Sequence, residues 1–228
     1  MLEENLIQIA GVVDAAEARI LEQCGVRYLG FPLRLPVHRE DLTEQEAAAI
    51  IKRLVPPVFG VLITYLSRAS EITAFCHALG ARIVQLHGDI APDEMKRLKT
   101  LDPSLTVIKS LVIGMCDDKA LEAMVDELSP FVDAFITDTF DPKTGASGAT
   151  GKTHDWRVSR RLVELADRPV ILAGGLTPEN VKRAILEVRP AGVDSHTGVE
   201  DSTGRKSGEK VQKFLSEAYE AFALVKTK

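Results

Sequence analysis

The residues best suited to chemistry in this 228-residue chain lie at the ends of short apolar runs. Two runs near the C-terminus lead into glycine-bearing turns, Leu172-Ala-Gly-Gly-Leu-Thr-Pro-Glu-Asn180 and Gly192-Val-Asp-Ser-His-Thr-Gly-Val-Glu200. Gly174, Gly175 and Gly198, with the short side chain of Thr197, let backbone N–H groups approach a ligand, and aligned N–H groups favour an anion. A pair of such turns on consecutive strand–helix units makes a phosphate cradle; the plainer reading is two tight connections. Asp138, at the end of Phe135-Ile-Thr-Asp, offers a carboxyl for proton transfer or a cap for the next segment. Gln85 and His87 flank Leu86, so strand alternation points both to one side, as a polar pair suited to substrate contact. Lys109 sits within Val107-Ile-Lys-Ser110. A buried lysine must pair with a carboxylate or perform chemistry, including Schiff-base formation.

Positioning these residues falls to a repeated unit. Candidate strands are Leu6–Ala10, Arg27–Phe31, Val58–Ile63, Arg82–Leu86, Thr106–Leu111, Ala134–Asp138, Pro169–Ala173 and Gly192–Ser195, with helical patterns between them. Asp14-Ala-Ala-Glu17 and Thr43-Glu-Gln-Glu46 have capping-box spacing. Thr177-Pro178 places a cap before a proline at a first helical position. Val181, Ile185 and Val188 share one helix face, and Val211, Phe214, Leu215, Ala218 and Phe222 form another stripe of helical period. Strict alternation implies a parallel sheet, and eight units imply closure into a single α/β domain over residues 1–228, a (β/α)8 TIM barrel. A doubly wound open sheet is the runner-up, but Ala10-Gly-Val-Val-Asp14 lacks the GxGxxG turn expected after its first strand. Two longer connections, Pro32–Asp41 and Thr139–His154, leave strand ends where barrels place their chemistry. The second carries Gly145, Gly148 and Gly151 and reads as a loop that closes over substrate.

Bulk properties narrow the partners. Hydrophobic content of 45% and charged content of 27% are those of a globular protein. A net charge of −5 argues against nucleic acid and anionic membranes. No apolar run approaches bilayer length and the first residues do not read as a signal peptide, so the cytoplasm is expected. Cys24, Cys76 and Cys116 are scattered without CxxC spacing; the first two read as packing residues and the third as a loop residue. No metal and no cofactor are expected. The expected partner is a small phosphosugar, with a homodimer left open.

Taken together, the chain resembles the phosphoribosylanthranilate isomerase family over nearly its whole length. The resemblance rests on Val84-Gln-Leu-His-Gly88, Phe135-Ile-Thr-Asp-Thr139, Gly148-Ala-Thr-Gly-Lys-Thr-His-Asp-Trp156, Leu172-Ala-Gly-Gly-Leu-Thr-Pro-Glu-Asn-Val181 and Gly192-Val-Asp…Gly198-Val-Glu200. It implies a (β/α)8 barrel that converts an N-linked phosphoribosyl aldosamine into a 1-amino-2-ketose by an Amadori rearrangement, an isomerase step of tryptophan biosynthesis. It also implies that Asp138 is the acid for the furanose oxygen. The base implied is a Cys in a Lys-Ile-Cys-Gly motif, where this chain has Gln8-Ile-Ala-Gly11. Ala10 carries no acid–base group. Ser195-His196-Thr197 also departs from the family's Val-Ser-Ser. The eighth strand of a closed barrel neighbours the first, so His196 could fill the space beside Ala10. Imidazole titrates near neutrality and needs no special tuning to act as a base. An outward-facing His196, or one that only donates to phosphate, is the alternative. Asp194 shares its parity and could orient it or a sugar hydroxyl. The family's loop arginine, which meets the acidic aromatic end of the substrate, aligns with Arg39 only through an insertion, and Arg34 lies in the same loop.

Three functions follow. The leading one is a phosphoribosylanthranilate isomerase-like sugar-phosphate isomerase with an altered base and substrate. A Lys109-dependent phosphosugar aldolase or lyase, and a non-catalytic phosphometabolite-binding homologue, are the alternatives.

Overall fold

The structure is a computed structural model that describes residues 2–36, 41–143, 146–147 and 151–226. The chain alternates β1 (Leu6–Ala10), α1 (Ala15–Cys24), β2 (Tyr28–Pro32), α2 (Glu44–Arg53), β3 (Phe59–Thr64), α3 (Ala69–Leu79), β4 (Ile83–Leu86), α4 (Pro92–Leu101), β5 (Thr106–Ile113), α5 (Asp118–Leu128) and β6 (Ala134–Asp141). It continues through a short β7 (Ala146–Ser147), α6 (Trp156–Leu165), β8 (Val170–Leu172), α7 (Val181–Val188), β9 (Gly192–Ser195) and α8 (Gly208–Lys226). Parallel neighbours run β1-β2-β3-β4-β5-β6-β8-β9, and β9 returns to β1 with Gln8 opposite Asp194. This is a closed eight-stranded barrel with the helices outside. Closure matters for chemistry because it brings the last strand beside the first.

The expected strands agree with those observed to within a few residues, β5 and β6 running longer than their apolar runs alone indicate. The extra length of β6 comes from an antiparallel pairing with β7, Phe140 opposite Ser147, so part of the expected loop is a hairpin. Strand parity sorts the core into two layers. Leu6, Val61, Ile83, Ile108, Ala134 and Ile171 fill the barrel interior. Val84, Leu86, Val107, Leu111, Phe135 and Val193 point out and pack under the helices.

Caps fix where the helices start. Thr43 and Glu46 form the full reciprocal box on α2. At α1 only half of the expected box forms: Asp14 accepts from Glu17 N, but the Glu17 carboxylate accepts from Val13 N and Lys206 N. Glu17 is fully buried and ties two loops together instead of closing its own helix. Thr177 Oγ1 accepts from Glu179 N, while α7 begins one turn later at Val181. The predicted stripes on α7 and α8 are buried. Cys76 is buried, Cys24 is partly buried and Cys116 is exposed.

Candidate active site

At the carboxyl rim the two glycine turns meet. A Cβ on Gly198 would collide with the Leu176 carbonyl oxygen, and Ser195 Oγ donates to that same oxygen at 2.8 Å. Gly174 and Gly175 have φ of 101° and 61°, the left-handed region in which a side chain is strained. A Cβ on Gly174 would strike Thr139 Oγ1, and one on Gly175 would strike the backbone of Lys152 and Thr153. Gly151 lies next to Thr197 Oγ1. The connection after β6 therefore returns onto the glycine turns. It is pinned there by His154, whose Nδ1 is 2.9 Å from Thr139 Oγ1 and whose Nε2 is 2.5 Å from Ser159 Oγ. Burial pushes the His154 imidazole down to about 4, so it is neutral in these bonds. Gly145 and Gly148 lie outside the described residues.

Below this rim runs a polar network that crosses the barrel. Gln8 Nε2 donates to Gln85 Oε1 at 2.9 Å, and Gln85 Nε2 donates to Ser110 Oγ at 3.4 Å. Ser110 Oγ is 3.0 Å from His87 Nδ1, which lies 3.9 Å from Asp138 Oδ2. Tyr65 packs edge-on against the His87 ring, with centroids 4.9 Å apart. The inward parity expected for Gln85 and His87 is thus observed, and both are buried. Ser110 joins them, although its sequence context drew attention only to the neighbouring lysine.

Asp138 Oδ1 accepts from Thr139 N at 2.7 Å, and its side chain remains 15% exposed at the mouth. Burial raises its pKa, against the opposing pull of His87 and the Thr139 N–H. Asp194 is pushed up to about 7 by burial and by the Asp138 charge. Asp194 Oδ1 and Gln8 Oε1, on residues paired across the β9–β1 seam, are both buried without a hydrogen-bond partner. A proton shared between two neighbouring buried carboxyls is available for donation.

His196 lies at the end of β9 with its ring over β1. A Cβ on Gly11, the residue after Ala10, would collide with His196 Nε2. The ring therefore lies against the backbone that follows Ala10. His196 Nε2 is also 3.6 Å from Glu200 Oε1.

Lys109 and Arg34 are not brought to this site. Lys109 shares parity with Val107 and Leu111 on the outer face of β5, opposite Ser110, and its Nζ donates to Ser110 O at 2.7 Å. Burial lowers its amine to about 8, against the charge of Asp89, but it faces away from the barrel interior. An aldolase lysine in the mouth is thus without geometric support. Arg34 forms a two-pronged pair with Glu44 at 2.8 and 3.2 Å and lies 3.8 Å over the Phe75 ring. Arg39 lies outside the described residues. Among the described residues no cluster of His, Cys, Asp or Glu is arranged to hold a metal ion, and no helix is long and apolar enough to cross a membrane.

Comparison with known proteins matches residues 8–217 to the family model of N-(5'-phosphoribosyl)anthranilate (PRA) isomerase. The chain belongs to the phosphoribosylanthranilate isomerase family. It is 38% identical over 225 residues to N-(5'-phosphoribosyl)anthranilate isomerase 2 of Methanosarcina mazei, covering 96% of each protein. Identity to the Haloferax volcanii isomerase is 34%, over 93% of this chain and 92% of that one. The crystal structure of phosphoribosyl anthranilate isomerase from Thermotoga maritima superposes with a TM-score of 0.80 at 26% identity, over 95% of this chain and 99% of that one. Within this phosphoribosylanthranilate isomerase family the chain is an isomerase of a phosphoribosyl compound, an intramolecular oxidoreductase built on a TIM barrel.

Proposed function

We propose that this isomerase performs an Amadori rearrangement of an N-linked phosphoribosyl compound, with Asp138 as acid and His196 as the base that stands in for the missing thiol. The observation that carries the reading is the placement of the His196 ring over Gly11, beside Ala10, across the β9–β1 seam. The substrate phosphate sits against Gly174, Gly175, Thr197 and Gly198, whose backbone leaves room for it and whose N–H groups suit an anion. Gln85, His87 and Asp194 line the ribose side, below the mouth.

The protonated Asp138 gives its proton to the furanose oxygen. The C1–O bond breaks, its electron pair goes to that oxygen, and the nitrogen lone pair forms a C1=N iminium. His196 then removes the C2 proton. The C2–H electrons form C1=C2, and the iminium π pair returns to nitrogen as an enolamine. Loss of the enol proton and protonation of C1 complete the 1-amino-2-ketose, so protons and electrons balance. Asp138 must be protonated when substrate arrives, and burial shifts its pKa upward, in the direction of that state. His196 must be neutral to accept the C2 proton.

The test is turnover of phosphoribosylanthranilate and of analogues lacking the aromatic carboxylate, followed by fluorescence or mass spectrometry. Asp138→Asn and His196→Ala are each expected to lower kcat by about 10²–10⁴-fold. Retained turnover in His196→Ala would remove the histidine base, and phosphate-compound binding without turnover across the panel would favour a binding protein. Light scattering of the purified chain reads whether two copies pair.

A further inference from the structure

Behind Asp138 lies an imidazole that joins three elements of the rim. β6 and β8 pair as parallel strands only through Phe135–Val170 and Ile136–Ile171. Beyond that point side chains take over from the ladder: Thr137 Oγ1 accepts from Ala173 N at 3.1 Å and donates to Ala173 O at 3.3 Å. The next link is Thr139, which shares the outward parity of Phe135 and Thr137, while Asp138 has the inward parity of Ile136. His154 Nδ1 meets Thr139 Oγ1, and His154 Nε2 meets Ser159 Oγ in the first turn of α6. A Cβ on Gly174, the residue after Ala173, would collide with Thr139 Oγ1 and come within 3.1 Å of His154 Nδ1. The imidazole therefore stands where β6, the β8 glycine turn and α6 meet. A neutral imidazole has one donor and one acceptor, and a hydroxyl serves as either, so both bonds close in either tautomer. Thr139 and Ser159 are buried, and an apolar ring in place of His154 would take this bond from both hydroxyls.

We propose that His154 is a positioning residue for the isomerase reaction: it fixes the Asp138 carboxyl relative to the β8 glycine turn, and so the proton donor relative to the substrate's phosphate end. The inference rests on the reading of Asp138 as acid and of Gly174 and Gly175 as phosphate contacts. The link to Asp138 runs through Thr139, whose N–H donates to Asp138 Oδ1 at 2.7 Å and whose hydroxyl His154 holds. The link to the phosphate turn is the close approach of Gly174 to that same hydroxyl and to the ring. A substrate gripped at its phosphate presents its furanose oxygen to Asp138 only if this spacing is kept, and a misplacement of about 1 Å can cost about 10²-fold in rate. The phosphate contacts themselves are backbone groups on β8 and β9, so loss of His154 bears on kcat more than on phosphate binding.

The experiment measures steady-state turnover of phosphoribosylanthranilate or its analogue lacking the carboxylate, with inorganic phosphate as competitive inhibitor and a thermal melt for each variant. His154→Phe keeps a ring and removes both bonds; kcat is expected to fall about tenfold while the inhibition constant of phosphate stays within about twofold. His154→Gln, whose amide offers both a donor and an acceptor, restores part of kcat. Thr139→Val lowers kcat by a similar factor, and combining it with His154→Phe costs no more than either alone, because both cut one link. Ser159→Ala leaves the Thr139 bond in place and lowers kcat about threefold, which keeps the test open if the His154 variants do not fold. A folded His154→Phe or Ser159→Ala with wild-type kcat overturns the role, as does a loss accounted for wholly by weaker phosphate binding. Additive losses in the double variant overturn it as well. An active Asp138→Asn overturns the underlying acid assignment instead.

Discussion

The rims of β8 and β9 and the rim of β1 adjoin, yet they have been treated differently. At β8 and β9 the glycine geometry is tight: a Cβ on Gly175 or Gly198 would strike backbone, and the left-handed φ angles of Gly174 and Gly175 disfavour side chains. At β1, Ala10 stands where the family resemblance implies an acid–base group, and the His196 ring lies against the next residue, Gly11. An anion cradle made of backbone N–H groups has few alternative solutions. A base needs only a lone pair within reach, and in a closed barrel three neighbouring strands can supply it. Binding is held by shape and proton transfer by proximity, so the second relocates more easily.

The largest effect should come from the rigid side of this contrast. Gly198→Ala drives a methyl into the Leu176 carbonyl, forcing backbone movement at the rim proposed to hold the phosphate. Its KM for a phosphorylated substrate should rise at least about tenfold, with a lowered melting temperature, read by steady-state kinetics and calorimetry. The relocatable side is tested by Ala10→Cys in the His196→Ala background. Returning a thiol to β1 should restore about tenfold or more of the lost kcat, since the remaining machinery is in place. No rescue would argue that the proton at C2 is taken elsewhere.

A smaller effect concerns the buried carboxyl between the two rims. Asp194 titrates at about 7 in the fold against a reference of 3.8, so the folded state holds its proton more tightly than the unfolded chain. Its contribution to stability is thus largest at acid pH and declines as pH rises through that window, reaching its unfavourable plateau above about 7. Asp194→Asn should flatten this decline, so thermal melts of the two proteins converge at low pH and the variant gains at pH 8. His154 opposes it: held neutral with a folded value of about 4 against 6.5, it withdraws stability as pH falls between them. The smallest effect belongs to Arg34. Its pair with Glu44 is half-exposed, so Arg34→Ala should cost no more than about 1 kcal/mol and leave KM within about twofold. A large rise in KM would place Arg34 at the substrate's acidic end after all.

Particular residues show what could be read in advance. Gln85 and His87 were legible because strand parity is a local property: two polar residues astride Leu86 must share a side. The same rule applied to Lys109 required knowing which side of β5 faces inward, and Ser110, not the lysine, took that side. Glu17 reads as half of a capping box, but the backbone N–H of Lys206, distant in sequence, claimed one of its oxygens. Lys206 itself lies in a Gly/Ser/Thr-rich stretch that gives no sign of burial.

The alternation of apolar runs, the glycine turns and the inward pair on β4 were set by the sequence alone, because each depends on backbone conformation or on a period of two residues. Tertiary structure decided the rest: that β9 lies against β1, that His196 covers Gly11, and that Glu200 and Lys206 stand behind it. These contacts join groups whose relation is set by barrel closure and by one loop's hydrogen bonds. Charge, burial and proton affinity at the site follow from that juxtaposition and have no local signature in the chain.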